Sequence, residues 1–351
     1  MFDLLVTGVA AVLYYSGLVG LGRWLTRRRS PKLLILCYHR ADGKQMRQHL
    51  LYLKRHYRLM HLEPALRELY NPEHESMYQS DRRLPLVITF DDGYQDSYSS
   101  AFELARTLHI PLTIFLVPGY IDSTNSFWWH EGSRLSTQTQ MHQVTLEGHS
   151  YILDTIAGRK AVAQAIDHVV FHAPSVRSRE AYLASARNAL GIPEVEASSS
   201  DTSCTSLSWE QIQMMEKSGW ISFGGHTMNH PVLAYLSDPT EAEYEVNRCR
   251  TVLEQHLDHS IRLFAYPVGQ LEHIGRSGPL IVQKAGFAWA VTTIEGFNMP
   301  DTSPYLLHRF VLDKRQSWLL VAAKTSGAWT FITHPYRLLL KVCRRPFRSH
   351  E

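Results

Sequence analysis

The sequence predicts an α/β fold of parallel strands joined by helical crossovers, either an open doubly wound sheet or a barrel. Three observations predict it. Short apolar runs recur along the chain with helix-period stretches between them, so that strand and helix alternate. The first runs are apolar at nearly every position, as strands covered on both faces require. The chain has 351 residues, 44% hydrophobic and 20% charged, which is globular composition with length for one large α/β domain or two smaller ones.

The amino end reads "MFDLLVTGVAAVLYYSGLVGLGRWLTRRRS", in which Leu4 to Gly22 carries no charge, the length of a marginal membrane span. Asp3 precedes this run and Arg23, Arg27, Arg28, Arg29 and Lys32 follow it, the reverse of a signal peptide. The positive-inside tendency then keeps the body of the protein on the cytoplasmic face of the inner membrane, the periplasmic side being the alternative. The carboxyl end, "YRLLLKVCRRPFRSH", sets leucines before Arg344, Arg345 and Arg348, a pattern suited to an anionic leaflet. A helix packed on the domain, with ordinary solvated charges, is the competing reading of these ends. The division expected is residues 1–30 as a membrane-associated apolar helix with a basic flank, 31–320 as the folded body, and 321–351 as a basic amphipathic segment.

Within the body, the strand candidates are "LLILCYH" (33–39), "LPLVITF" (84–90), "LTIFLV" (112–117), "WISFGG" (220–225), "RLFAYP" (262–267) and "AWAVTT" (288–293). Helices are expected at "YSSAFELARTLH" (98–109), at "SWEQIQMMEKSG" (208–219) with Ser208 as N-cap, and at "EAEYEVNRCRTVLEQHL" (241–257). Residues 127–206 lack a strong strand signal and read as a helical insertion or lid ending in the polar stretch "EVEASSSDTSCTS". In either architecture, ligands gather at the carboxyl ends of the strands.

Several function classes drop out early. Cys37, Cys204, Cys249 and Cys343 have no CxxC spacing, which argues against a zinc ribbon or redox motif and leaves packing as their role. Net charge is only +3, the densest basic clusters sit at the two ends, and no nucleic-acid module motif is present, so no nucleic-acid partner is expected. No motif names a protein partner.

The stretch "LVITFDDGYQDSY" (86–98) ends an apolar run on two adjacent carboxylates, Asp91 and Asp92. Unpaired buried charge is costly, and neighbours leaving a strand point in different directions, so one acid can bind metal while the other takes a proton. Helix capping is the bland alternative, and Asp96 in the same stretch is expected to cap. "FGGHTMNHP" then sets His226 and His230 four apart behind another strand candidate. Two imidazoles and a carboxylate form a metal triad with positions left open for water and a substrate oxygen, the need of metal-assisted hydrolysis.

Together "TFDDG" (89–93), "HTMNHP" (226–231) and "FAYPVG" (264–269) resemble, in order and context, the motifs of the polysaccharide deacetylase family, carbohydrate esterase family four. The likeness spans roughly Leu33 to Leu312 and is nearest to the poly-N-acetylglucosamine deacetylase branch. It implies a distorted (β/α) barrel, a divalent ion, commonly zinc, and removal of N-acetyl groups from an amino sugar in a polysaccharide or lipid-linked saccharide. Carried over by position, Asp91 resembles the catalytic base, and Asp92, His226 and His230 resemble the metal ligands. His39, ending the first strand candidate, resembles the general acid of that branch, with His308 and His334 as rivals. Many family members place an arginine two residues before the proline of the third motif, where it contacts the base; here that position is Ala265.

For substrate contacts the candidates are Trp128 and Trp129, whose rings suit sugar stacking or core packing equally, and Tyr266 with Pro267 beside an acetyl pocket. Phe115 is expected in the core, as are Met214 and Met215. The rival function is a catalytically inactive carbohydrate-binding or exopolysaccharide-assembly protein on the same fold, favoured by Ala265. A third keeps the enzyme and changes the substrate to peptidoglycan, chitooligosaccharide or a non-sugar amide.

Overall fold

The computed structural model describes residues 2–28, 32–41, 44–71, 81–123, 126–192 and 205–329. Eight parallel strands form one curled sheet: β1 (Leu34–Tyr38), β2 (Arg58–Leu59), β3 (Pro85–Phe90), β4 (Leu112–Leu116), then, beyond a small antiparallel hairpin of β5 (Gln143–Leu146) and β6 (His149–Ile152), β7 (Ile221–Gly225), β8 (Leu263–Ala265), β9 (Trp289–Val291) and β10 (Phe310–Val311). The spatial order is β10-β1-β3-β4-β7-β8-β9, with β2 beside β3. Leu36 pairs with Ile88 and with Phe310, and Leu307 bridges Val291, so the segment leading into β10 joins both edges of the sheet. The result is the distorted (β/α) barrel expected, wrapped by helices.

Strand alternation divides the core in two. Leu34, Leu36 and Tyr38 of β1, and Leu86, Ile88 and Phe90 of β3, face outward into the helix-covered layer. Ile35, Val87, Phe115, Leu263, Ala265, Val291 and Leu307 face inward, where helix Leu62–Tyr70 adds Leu62, Ala65, Leu66 and Leu69 and closes the end opposite the site. Each such buried aliphatic side chain contributes about 1.5–3 kcal/mol. Thr89, Asp91 and Arg309 share the inward register, so three polar groups stand among apolar ones at the open end of the barrel.

The helices largely follow expectation. Ser208 caps Trp209–Lys217 in a full capping box with Gln211, a feature worth about 1 kcal/mol. Asp96 departs from it. Its own backbone is already helical, ahead of a π-type turn at Ser97–Phe102, and its carboxylate accepts instead from Arg40 Nε at 2.8 Å and Ala41 N at 3.2 Å. Of the methionine pair only Met215 is core; Met214 is 46% exposed, where the Tyr98 hydroxyl donates to its sulfur.

The amino-terminal apolar stretch forms two helices, Phe2–Tyr15 and Leu18–Arg28, bent by 70° at Gly17, whose φ of +82° suits glycine. No single described helix is long and apolar enough to cross a membrane. Ala10 and Leu13 are buried, and Tyr14 packs edge-on against Trp318 at 4.9 Å. The insertion carries helices Trp128–Gln138, Ile156–Phe171 and Val176–Ala189, plus the hairpin that its sequence did not signal, around a core of its own. Buried Glu131 pins it, accepting from Arg134 at 2.7 Å and Arg187 at 2.9 Å. His334, Cys204, Cys343 and most of the expected 321–351 segment lie outside the described residues.

Candidate active site

The loops leaving β1, β3, β7, β8 and β9 converge on a cavity of about 640 Å³. Asp91 follows β3 directly, and its backbone N–H donates to the Tyr38 carbonyl, extending the strand ladder by one residue. The inward register then aims its carboxylate into the barrel. Asp92 turns away through a left-handed φ of 74°, so the two acids do separate things. Thr227 (61°), His230 (56°) and Val268 (60°) are also left-handed, and β-branched Val268 is costly there. Backbone strain of about 1–3 kcal/mol per residue is thus gathered around one cavity, as functional sites tend to show.

Asp91 is 1% exposed and held by Arg309, whose Nη1 donates to Oδ1 and Nη2 to Oδ2, both at 2.7 Å. Arg309 also donates from Nη1 to Thr89 Oγ1 at 3.0 Å and from Nε to the Thr292 carbonyl at 2.8 Å. Its guanidinium therefore has no rotational freedom. Burial pushes the Asp91 carboxyl up, but the charge and hydrogen bonds of Arg309 outweigh it and hold the group well below the usual carboxylate range. The Cys37 thiol, itself pushed up by burial, donates to Asp91 Oδ2 at 3.3 Å. Cys37 is therefore more than packing.

Asp92, His226 and His230 place one donor atom each within 4.8 Å of the others, all buried. His226 Nδ1 lies 2.7 Å from the Ala265 carbonyl, which can only accept, so Nδ1 carries a proton and Nε2, 3.5 Å from Asp92 Oδ1, is the atom left to ligate an ion. His230 Nε2 stands 3.6 Å from the same oxygen, and its buried Nδ1 has no partner. Tetrahedral ligation at about 2.1 Å gives ligand separations of about 3.4 Å, close to those present. The residues therefore fit a divalent ion. Both Asp91 oxygens are engaged by Arg309, which sets Asp91 apart from this group.

The loop bearing both histidines is fixed from behind. Buried Glu245 accepts from Asn229 N and Nδ2, each at 2.7 Å, and its carbonyl accepts from Met228 N. A Cβ on Gly119 would lie 2.5 Å from the Met228 carbonyl and from Asn229 Oδ1, so only glycine lets that loop approach. The Trp128 indole is buried and donates to the His230 carbonyl at 3.0 Å. Half-buried Trp129 lies 4.3 Å ring to ring from His230 and donates to Tyr94 Oη at 2.6 Å.

Of the residues singled out in the sequence, His39, Asp91, Asp92, Trp128, Trp129, His226, His230 and Tyr266 all line this cavity. Pro267 is buried and does not line it, although its neighbours Tyr266 and Val268 do. His39 is exposed at its edge, whereas His308 does not line it. Phe115 is core, with the Arg309 guanidinium over its ring at 5.7 Å.

Sequence reasoning left Arg309, like Arg40, as a contact for an acidic or phosphate group or a mere ion pair, and missed Glu245 and the wall formed by Gln164, Asp167, His168 and His172. Arg309 had a faint signal: in "LLHRFVL" it shares strand register with Leu307, facing inward. It supplies to Asp91 the contact that the resemblance assigned to an arginine at position 265.

A family model described as polysaccharide deacetylase matches residues 79–287, which hold all three motifs. Among curated proteins, the polysaccharide deacetylase YxkH of Bacillus subtilis is 25% identical over 131 residues, 36% of this chain and 45% of that protein, so the match spans about half the relative's length. Among solved structures, IcaB of Ammonifex degensii has a TM-score of 0.52 at 20% identity, covering 85% of this chain and 98% of that one. The Streptococcus pyogenes deacetylase PplD, in complex with acetate, has a TM-score of 0.53 at 16% identity, covering 84% and 97%. The de-N-acetylase of Aggregatibacter actinomycetemcomitans reaches 0.51 at 12%, covering 84% and 99%.

Proposed function

The chain belongs to the polysaccharide deacetylase family, and on that premise we propose that it is a metal-dependent hydrolase removing N-acetyl groups from an amino sugar of a polysaccharide or lipid-linked saccharide. The observation that carries the reading is the pairing, in one cavity, of the Asp92, His226 and His230 group with an Asp91 gripped by Arg309. The bound acetate of PplD, the product such a hydrolysis would release, supports it.

A divalent ion held by Asp92, His226 and His230 supplies Lewis acidity toward the acetamide carbonyl and acidifies water. Two imidazoles with one carboxylate are a donor set suited to zinc. Asp91, ionised throughout the physiological range, takes the proton of the attacking water, and Arg309 keeps its carboxylate aimed. Asp91 Oδ1 accepts from Arg309 and keeps a second lone pair for that proton, whereas Oδ2 accepts from both Arg309 and Cys37. His39, exposed at the cavity edge, protonates the departing nitrogen. The amide C–N bond breaks, the water oxygen ends in acetate, and the sugar leaves as the amine. Tyr266 and Val268 border the acetyl group, and Trp128 and Trp129 offer ring faces to the sugar.

Ala265 favoured an inactive binding protein on this fold. With Arg309 on Asp91, that argument loses its basis. The membrane reading is supported by exposed Leu4, Leu5, Val12, Tyr15, Leu18, Leu21 and Trp24 on the amino-terminal helices, with Arg23, Arg27 and Arg28 beside them. We propose the cytoplasmic face, and digestion of the catalytic domain from outside intact spheroplasts would reverse it.

The deciding experiment is acetate release from N-acetylglucosamine oligomers and lipid-linked N-acetylated sugars, with and without chelator. Release that stops with chelator and returns with zinc is expected. No release from any substrate, with metal demonstrably bound, would move the reading to the binding protein.

A further inference from the structure

Helix Ile156–Phe171 of the insertion forms one wall of the catalytic cavity. It buries Val162, Ile166 and Val170 in the insertion core and presents Gln164, Asp167, His168 and Phe171 to the cavity, with His172 following its last turn. Positions three and four apart share a helix face, so these form one stripe, polar where a packed face would be apolar. Ring faces extend it. Phe171 lies 6.5 Å from Trp128, and His172 stacks on Tyr235 at 4.9 Å. Trp129, 5.5 Å from Trp128, meets His230 at 4.3 Å, so rings run from the ion group to beyond the insertion helix. Such a row offers stacking faces to more than one sugar unit.

Asp167 is the unpaired acid on this wall. Its Oδ1 is buried without a hydrogen-bond partner, and no described lysine or arginine pairs with it. Glycine at position 132 makes its seat, because a Cβ there would collide with that oxygen and lie 2.6 Å from the Ala163 carbonyl. Burial raises the Asp167 carboxyl above its ordinary value, and only the Gly132 amide opposes this. The cavity's other two acids are engaged, Asp91 by Arg309 and Asp92 beside His226 and His230. A half-buried carboxylate without a partner is relieved by a cation that also donates hydrogen bonds, and an ammonium does both. Hydrolysis of an N-acetyl amino sugar leaves, in this same cavity, an amine that takes up a proton near neutral pH.

We propose that Asp167 and the ring faces around it form a subsite for the ammonium of an amino sugar already deacetylated, next to the acetylated unit being hydrolysed. This rests on the deacetylase reading and narrows its substrate to a saccharide of two or more units, with partly deacetylated chains preferred over fully acetylated ones. Asp167 takes no part in the bond changes; it positions the neighbouring unit and raises its affinity. Each hydrolysis creates the group that the subsite binds, so one event on a chain favours the next.

The test uses the full chain and Asp167→Asn, which keeps the side-chain shape and removes its charge. Three glucosamine trimers serve as probes: fully acetylated, fully deacetylated, and acetylated on the middle unit alone. The fully deacetylated trimer is titrated calorimetrically, and kcat/KM per acetyl group is measured for the other two. The wild type is expected to bind the deacetylated trimer, and Asp167→Asn to bind it about tenfold more weakly, the worth of one charge-assisted hydrogen bond. The kcat/KM ratio of singly to fully acetylated trimer is expected to exceed one in the wild type and to fall about tenfold in the variant. A wild-type ratio of one or less overturns the subsite with no variant needed. So does an equal ratio in both proteins, the result if Asp167 merely supports helix Trp128–Gln138. Asp167-dependent binding of the deacetylated trimer, with no acetate released from any substrate, overturns the deacetylase reading and leaves the ammonium subsite standing.

Discussion

Arg309 closes on Asp91 with both terminal nitrogens, Nη1 on Oδ1 and Nη2 on Oδ2, each at 2.7 Å, both residues buried at the open end of the barrel. Arg309→Lys keeps the charge but loses the planar fork and the ties to Thr89 and Thr292. Its kcat is expected to fall about 10²-fold, the cost of misplacing a reacting group by about 1 Å. Arg309→Met leaves Asp91 buried and uncompensated, and denaturant melts are expected to show about 3–5 kcal/mol lost. An Arg309→Lys protein with wild-type kcat would remove Arg309 from the orientation of the base.

The same pair sets the outcome of changing the acid. Asp91→Asn leaves the Arg309 cation buried opposite a neutral amide, so its melting temperature is expected to drop while metal stays and hydrolysis stops. His226→Ala is expected to lose metal and turnover together. Metal analysis of the two purified variants separates the roles; loss of metal from Asp91→Asn would exchange them.

His39 is exposed and outside the ligand group, so His39→Ala is expected to keep its metal and its fold yet lose turnover. Normal acetate release from that variant would take the proton-donor role away from His39.

What the sequence made legible was whatever depends on neighbours in the chain. Buried parallel strands announce themselves by apolar runs, and Asp91, Asp92, His226 and His230 stand out because strand ends and short spacings bring them together. Arg309 was obscure because its partner is 218 residues away and the strand it precedes, Phe310–Val311, is two residues long, too short for any periodicity. Glu245 reads as an ordinary helix-surface acid until the fold turns that face onto the histidine loop. The hairpin Gln143–Ile152 was missed because its strands are only four residues each: Val144 and Leu146 alternate with exposed neighbours, but His149–Ile152 has no buried residue to continue the pattern.

Glu245 gives a prediction of its own, because it holds the ligand loop without touching the ligands' donor atoms. Glu245→Ala frees Asn229 from two hydrogen bonds and is expected to weaken metal affinity about 10–100-fold, as loss of outer support does elsewhere. Competition with a fluorescent chelator measures it. Unchanged metal affinity would make Glu245 a packing residue only.

The last prediction concerns acid, and its sign differs between neighbouring groups. In the metal-free chain, burial first and the charge of His226 next push the His230 pKa down to about 3. An unfolded chain takes up that proton near pH ~6.5, so stability is lost as pH falls from there toward 3, at up to about 1.4 kcal/mol per pH unit. Asp91 does not share this window: its folded pKa is lowered, so its stabilisation is complete above the ordinary carboxylate value and lost only below it. His226 runs the other way. Burial disfavours its charge, but the Asp92 contact and the two aspartate charges raise its pKa, so its contribution is full below pH ~6.5 and fades as pH rises through the folded value. Melting temperatures of chelator-treated protein between pH 8 and 4, for wild type and His230→Gln, test the assignment. The variant is expected to lose about one proton's worth of the acid-side slope; equal slopes would mean that His230 is not the neutral buried imidazole that the ion site requires.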